Sequence, residues 1–159
     1  MSTSGGAGDD SPVIRDLLRG AQEFLAHEHS LFRTLGLAPI LVGRGRASFA
    51  LDLPAEFEAG DGRVHEGLHT IVLDSIMGLT VLTALETFKP IATVNLRTDH
   101  IARAAAGARV VCSCECVALV DEIAYVTGRL AEEKSGALLS TGSGAFMVGT
   151  RGASRGSRL

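Results

Sequence analysis

A single carboxylate in a long apolar stretch is the clearest chemical signal in this sequence. Asp74 and His69 are the only ionisable side chains between Glu66 and Glu86. An ionised carboxylate in apolar surroundings carries a desolvation cost, which is typical of a general base or nucleophile. One helical turn beyond Asp74, Gly78 leaves a bare patch of helix surface. Glycine in mid-helix costs about 1 kcal/mol relative to alanine. Two explanations for a glycine at this position are a substrate slot beside Asp74 and close packing of the helix on a sheet.

The element that positions Asp74 is predicted to be a core helix over residues 65–87. Its apolar side chains cover nearly the whole circumference, which predicts burial on all sides. The stretch is also long enough to cross a membrane. However, Asp74 near its centre would cost about 3 kcal/mol on insertion, so we predict a core helix and no membrane partner.

The rest of the chain predicts an α+β fold with five strands, mostly antiparallel, around this helix. An extra N-terminal helix is predicted from Ser11 to about Leu31, and a first strand over Gly43–Leu53, where apolar residues alternate. Four further strands are joined by connections short enough to favour antiparallel neighbours: residues 92–101, 108–120, 122–132 and 137–149. Residues 1–10 are predicted to be a disordered leader, 11–149 one domain, and 150–159 a disordered basic tail.

Composition excludes several classes of function. The 159 residues make one domain, and the net charge of −3, one Tyr and no Trp argue against nucleic-acid binding. The N-terminus lacks a signal-peptide pattern, so we expect a cytoplasmic protein.

Three cysteines alternate along one predicted strand, with no second ligand pair elsewhere. We therefore predict no metal site. The cysteines are predicted to be core residues on the same strand face as Val110, Ala118 and Val120.

Two short motifs and the helix between them resemble the hot-dog-fold acyl-CoA thioesterases. The motifs are Val64-His65-Glu66-Gly67-Leu68 and Ala92-Thr93-Val94-Asn95-Leu96, with Asp74 and Gly78 on the intervening helix. The similarity is greatest to the phenylacetate-pathway (PaaI-like) branch and covers roughly residues 43–149. The resemblance implies a hot-dog fold, in which the sheet wraps around the central helix, and thioester hydrolysis without a metal or bound cofactor.

The resemblance also implies roles for individual residues. Asp74 corresponds to the general base or nucleophile, the Glu66 and Gly67 amides to the oxyanion site, and Thr93 to the hydroxyl that holds the water. Free amides at a helix start suit a developing negative charge. His65 is predicted to cap the helix or to line the substrate site. Arg97 and Arg103 are candidates for the phosphates of coenzyme A.

Helix geometry predicts that the site is shared between two chains. Glu66 and Asp74 are eight residues apart, so their backbones lie about 12 Å apart along the helix axis. One thioester group cannot meet both at reaction distance on a single helix. We therefore expect a homodimer, or a dimer of dimers, with the amide from one chain and Asp74 from the other; the resemblance implies the same assembly.

Three positions differ from the family pattern. Glu66 stands in place of the first Gly of a Val-His-Gly-Gly signature, and Arg103 stands where proline is usual. The preceding loop, residues 57–61, offers no Asn or Gln side-chain amide. A carbonyl held by one donor instead of two would react on the order of 100-fold more slowly.

Two alternatives to a thioesterase stay open at the level of sequence. A hot-dog hydratase or dehydratase would need a histidine with an acid, and His69 or His100 would have to serve. A non-catalytic acyl-CoA-binding protein could keep the fold without the reaction. Thiol release, enoyl-CoA hydration and binding without either reaction distinguish the three.

Overall fold

The computed structural model describes residues 30–150, which form one antiparallel sheet with a long helix packed on one face. The elements follow in this order: α1 (Ser30–Leu35), β1 (Ala38–Gly43), β2 (Arg46–Asp52), a 3-10 helix (Ala55–Phe57), α2 (Gly67–Ala84), β3 (Ile91–His100), β4 (Arg109–Val120), β5 (Ile123–Glu132) and β6 (Leu138–Val148). The strand order across the sheet is β1-β2-β4-β5-β6-β3, so β1 and β3 form its edges.

The predicted α+β architecture is confirmed, with six strands in place of five. The additional strand is β1, which pairs with β2 across a turn at Gly45, where φ is +68°. Its sequence, APILVG, contains a proline and lacks the alternation that marks a half-buried strand, which is why the pattern did not predict it. The leader, most of the predicted N-terminal helix and the tail beyond Thr150 lie outside the described residues.

Two cross-strand glycines allow α2 to lie close to the sheet. Gly128 on β5 pairs with Gly142 on β6. A Cβ added at Gly128 would lie 2.6 Å from the Cys114 sulfur, and one at Gly142 would lie 2.9 Å from the Met77 methyl carbon. Both distances are too short for real contacts, so the two glycines form the groove that receives Met77. The Met77 and Leu73 side chains are fully buried there.

The prediction that α2 is buried on all sides is wrong for the described chain. Asp74, Ser75 and Gly78 are partly exposed, and Ile71 is 37% exposed. These residues follow one another at helical spacing, so they form an open stripe along the helix. By length and composition α2 could span a membrane, with a mean hydropathy of 1.4, but half of it is buried inside the fold.

A bulge in β4 changes which residues share the inner face. Cys112 and Cys114 are buried beneath α2, as predicted. The register shifts between Cys116 and Ala118, and Ala118 then pairs with the exposed Tyr125. Ala118 and Val120 therefore lie on the outer face, contrary to the prediction, because one extra residue reverses the alternation.

Candidate functional site

Asp74 on α2 contacts Thr93 on the edge strand β3. Thr93 pairs with Phe146, whose side chain is buried in the core, so Thr93 projects toward the helix. Its hydroxyl donates a hydrogen bond to Asp74 Oδ1 over 3.0 Å. Thr93 is exposed and Asp74 half-buried, so the pair is open to solvent in the single chain. The bond fixes one carboxylate oxygen, and the other has no hydrogen-bond partner among residues 30–150.

Gly78 lies one turn beyond Asp74 on the same open stripe. A Cβ added there would be 3.6 Å from Ile91 Cδ1 and 3.9 Å from Phe146 Cε1. These are ordinary van der Waals distances, so packing of the helix on the sheet does not require glycine at this position. Of the two explanations offered by the sequence, close packing is therefore not supported by the geometry.

The N-terminus of α2 carries the two amides expected to polarise a carbonyl. Glu66 is the N-cap, and Gly67 is the first helical residue. The Gly67 amide donates to His65 Nδ1 over 3.0 Å, and a Cβ at Gly67 would also lie 3.0 Å from that nitrogen. His65 therefore caps the helix from directly above Gly67. Its exposed imidazole would have to rotate away before the Gly67 amide could bind a ligand.

The Glu66 carboxylate lies at the same helix end. A hydrogen bond from its own backbone amide lowers the pKa of Glu66, burial opposes that shift, and the charge of Arg103 lowers the pKa further. Arg103 Nε is 3.3 Å from Glu66 Oε1. Both candidate oxyanion amides therefore face acceptors from their own chain: the His65 ring and the Glu66 carboxylate.

Arg103 is held in place by a loop residue that the sequence did not reveal. Its two terminal nitrogens donate to the two oxygens of Asp61 over 2.5 and 3.1 Å. These bonds hold the pKa of Asp61 below its ordinary value. Arg63 in turn donates to the Arg103 carbonyl over 2.8 Å. No sequence pattern links Asp61 to Arg103, because their contact depends on how the loop before α2 folds beside the segment after β3.

Arg97 is not brought to Asp74 in the described chain. It lies on β3 between two inward-facing residues, Leu96 and Thr98, and so projects from the opposite face of the sheet. There it forms an exposed ion pair with Asp99 at 2.9 Å.

A buried histidine and a serine form a second polar cluster between α2 and the sheet. His69 Nδ1 is 2.8 Å from the Ser140 hydroxyl, and His100 Nδ1 is 3.2 Å from the same hydroxyl. The His100 Nε2 atom is 3.5 Å from the Thr70 hydroxyl. His69 and Ser140 are fully buried. Within residues 30–150, neither histidine has a carboxylate as a hydrogen-bond partner, and no group of three or more His, Cys, Asp or Glu side chains is placed to hold a metal.

Burial of His69 predicts a loss of stability in mild acid. Burial and the neighbouring His100 lower the pKa of His69 below its ordinary value of 6.5, and Glu66 opposes the shift. Below pH 6.5 the unfolded chain binds a proton at His69 that the folded chain does not. Stability is therefore full above 6.5 and falls as the pH drops toward the lowered pKa, by at most about 1.4 kcal/mol per pH unit.

Denaturant unfolding between pH 7.5 and pH 5 measures this effect. The variant His69→Leu is expected to have a flatter stability profile over that range than the wild type, whatever its absolute stability. Equal slopes for the two proteins would show that His69 does not carry the effect.

Comparisons with known proteins identify the architecture. No protein-family model and no curated protein matches the sequence. Solved structures do match: the PaaI protein of the E. coli phenylacetic acid degradation operon aligns with a TM-score of 0.76 at 11% identity, over 86% of this chain and 95% of that one. A thioesterase family protein from Silicibacter pomeroyi aligns with a TM-score of 0.74 at 20% identity, over 85% and 97%. A single-residue mutant of the phenylacetic acid degradation protein PaaI from Thermus thermophilus aligns with a TM-score of 0.66 at 25% identity, over 74% and 96%.

Proposed function

From its hot-dog fold, shared with PaaI and thioesterase family proteins, we propose that this chain is an acyl-CoA thioesterase. It would hydrolyse a thioester to a carboxylate and a free thiol. The observation that carries the proposal is the Asp74–Thr93 pair, a carboxylate and a hydroxyl joined at 3.0 Å on an open stripe of a core helix. Gly78 supports it, because it lies one helical turn beyond Asp74 on the same exposed stripe and packing on the sheet does not require glycine there.

Asp74 serves in this proposal as general base. The free carboxylate oxygen takes a proton from water as the water oxygen attacks the thioester carbon. The tetrahedral intermediate then collapses, the carbon–sulfur bond breaks, and the departing thiolate takes up the proton that Asp74 accepted, which regenerates the carboxylate. Thr93 orients the carboxylate with its hydrogen, and the lone pairs of its oxygen can accept a hydrogen bond from the same water. Direct attack by Asp74 on the thioester, through an anhydride, gives the same products.

The carbonyl-polarising amide comes, in this proposal, from a second copy of the chain. The helix runs unbroken from Gly67 past Asp74, so the distance of about 12 Å between Glu66 and Asp74 persists in the fold. β3 is a sheet edge with most of its residues exposed, among them Val94 at 56%. A second copy pairing with this edge would bring its own α2 alongside Asp74 and Thr93. The functional unit is therefore a homodimer with two composite sites.

The hydratase alternative has less support from the geometry. His69 is fully buried and contacts Ser140, and His100 contacts Ser140 and Thr70. A hydratase needs an acid beside its histidine, and the described residues provide a serine and a threonine there. A panel of acyl-CoA and enoyl-CoA substrates tests both functions. Thiol release supports the thioesterase, and enoyl-CoA hydration without thiol release would refute it.

Gly78→Ala is expected to impair activity without impairing stability. The new methyl group would lie one helical turn beyond Asp74, at the place proposed for the substrate, so KM should rise several-fold, while helix propensity favours the variant by about 1 kcal/mol. Steady-state kinetics and thermal unfolding measure the two effects.

The matched control is Gly128→Ala, in which a methyl group collides with Cys114 and Met77. It should lose about 1–3 kcal/mol of stability. Unchanged kinetics in Gly78→Ala would place the substrate elsewhere.

A further inference from the structure

Three charged residues from separate segments contact one another at the N-terminus of α2. Glu66 is the N-cap of that helix, Asp61 lies in the loop before it, and Arg103 lies in the segment after β3. Arg103 donates to both oxygens of Asp61, and its Nε lies 3.3 Å from Glu66 Oε1. The three residues, which are separate in sequence, therefore form one charged network.

The Glu66 carboxylate lies between two donors in this network. One is its own backbone N–H, whose hydrogen bond helps to lower the pKa of Glu66. The other is Arg103 Nε–H, which is buried and donates to no acceptor among residues 30–150 with hydrogen-bond geometry. The carboxylate therefore competes for the amide that a thioester carbonyl would need, while the buried Arg103 Nε–H, 3.3 Å from Glu66 Oε1, makes no hydrogen bond within residues 30–150.

We propose that Arg103 is a positioning residue. When a thioester carbonyl binds the Glu66 backbone amide, the Glu66 carboxylate moves away from that amide and accepts a hydrogen bond from Arg103 Nε–H. The inference rests on the thioesterase function proposed above. Without Arg103, the Glu66 carboxylate would have two alternatives. It would remain next to its own amide and block the carbonyl, or it would move away without a new donor and repel the negative charge that develops on the carbonyl oxygen. With Arg103 present, the carboxylate exchanges one hydrogen bond for another, and its charge stays neutralised.

Arg103 is suited to this role because its guanidinium is fixed. Asp61 holds its terminal nitrogens, and the Arg63 carbonyl accepts from one of them over 3.4 Å. Its side chain is 28% exposed, and that of Glu66 is 35% exposed. The arginine is thus a fixed donor, and in the proposal Glu66 is the group that moves.

Arg103→Gln and its combination with Glu66→Gly test the inference in a thiol-release assay. We expect Arg103→Gln to lose about 10-fold or more in kcat/KM, because Glu66 then remains on its amide. The double variant, which has no carboxylate to move, is expected to recover the activity of Glu66→Gly alone. Wild-type activity in Arg103→Gln would overturn the inference, and so would a double variant as impaired as Arg103→Gln.

The pH dependence provides a readout that a purely structural role would not change. The charged groups that act on Glu66 are Arg103, His65 and His100, with Asp61 behind Arg103. Protonation of Glu66 frees its amide in either protein, so the activity of Arg103→Gln relative to wild type should approach one as the pH falls. A ratio independent of pH would contradict the inference.

An NMR titration of the Glu66 side-chain carboxyl provides a measurement independent of turnover. Its pKa should be higher in Arg103→Gln than in wild type, and an unchanged pKa would overturn the inference. No thiol release by the wild type on any acyl-CoA would instead refute the thioesterase proposal, and the inference with it. Thiol release by the wild type with an unaffected Arg103→Gln would refute the inference alone.

Discussion

Asp74→Asn is expected to lower kcat for thioester hydrolysis about 1,000-fold or more, within the range that a general base contributes. The asparagine keeps the size of the side chain and can still accept a hydrogen bond from Thr93 through its oxygen, so the local geometry is preserved. What it lacks is an oxygen that can accept the proton of the attacking water. Because binding does not depend on this step, KM should change little.

The matched control is Asp52→Asn, which removes an exposed carboxylate that pairs with Arg109 on the neighbouring strand. Surface pairs of this kind contribute about 0–1 kcal/mol, so the control should keep both its fold and its activity. Thermal unfolding of all three proteins checks that the catalytic variant is folded. Full activity in folded Asp74→Asn would show that the proton goes elsewhere.

Glu66→Pro is expected to lower kcat/KM on the order of 100-fold relative to Glu66→Gly. Both variants remove the carboxylate, but only proline removes the backbone N–H. The ratio of their kcat/KM values therefore measures the contribution of the backbone amide alone. Glu66 has φ −61° at the N-cap, which is within the range that proline adopts. The loss corresponds to that of one oxyanion donor.

Circular dichroism and thermal unfolding of Glu66→Pro show whether α2 still forms, since proline also restricts the residue before it. If folded Glu66→Pro is as active as Glu66→Gly, the Glu66 amide takes no part in the reaction. The Gly67 amide, which His65 caps at 3.0 Å, would then be the remaining candidate at this helix end.

The fold was predictable from the sequence wherever burial imposes a periodic pattern. The long strands β4, β5 and β6 have one face beneath α2, so apolar residues alternate and their limits fall within two residues of those predicted. β1 carries no such pattern because it is a short edge strand with apolar residues on both faces. The bulge at Cys116–Ala118 could not be predicted either, because apolar residues occupy consecutive positions there and are compatible with both pairing registers.

The site was predictable only in part, because its contacts join distant segments. Asp74 stood out because a charge is rare in an apolar helix, and Thr93 was found by resemblance. The ion pairs of Arg103 with Asp61 and Glu66 span 42 and 37 positions, so no local pattern reveals them. Ser140 was missed for a similar reason: a serine in a strand is unremarkable until the fold places it 2.8 Å from a buried histidine.

The most direct test of a composite site is the activity of a purified heterodimer of Asp74→Asn and Glu66→Pro chains. Co-expression with two different affinity tags allows the heterodimer to be separated from both homodimers. If Asp74 of one chain works with the Glu66 amide of the other, one of its two sites combines intact residues, and thiol release should reach roughly half the wild-type rate. If both groups act within one chain, each site carries a defect, and the heterodimer should be as inactive as either homodimer.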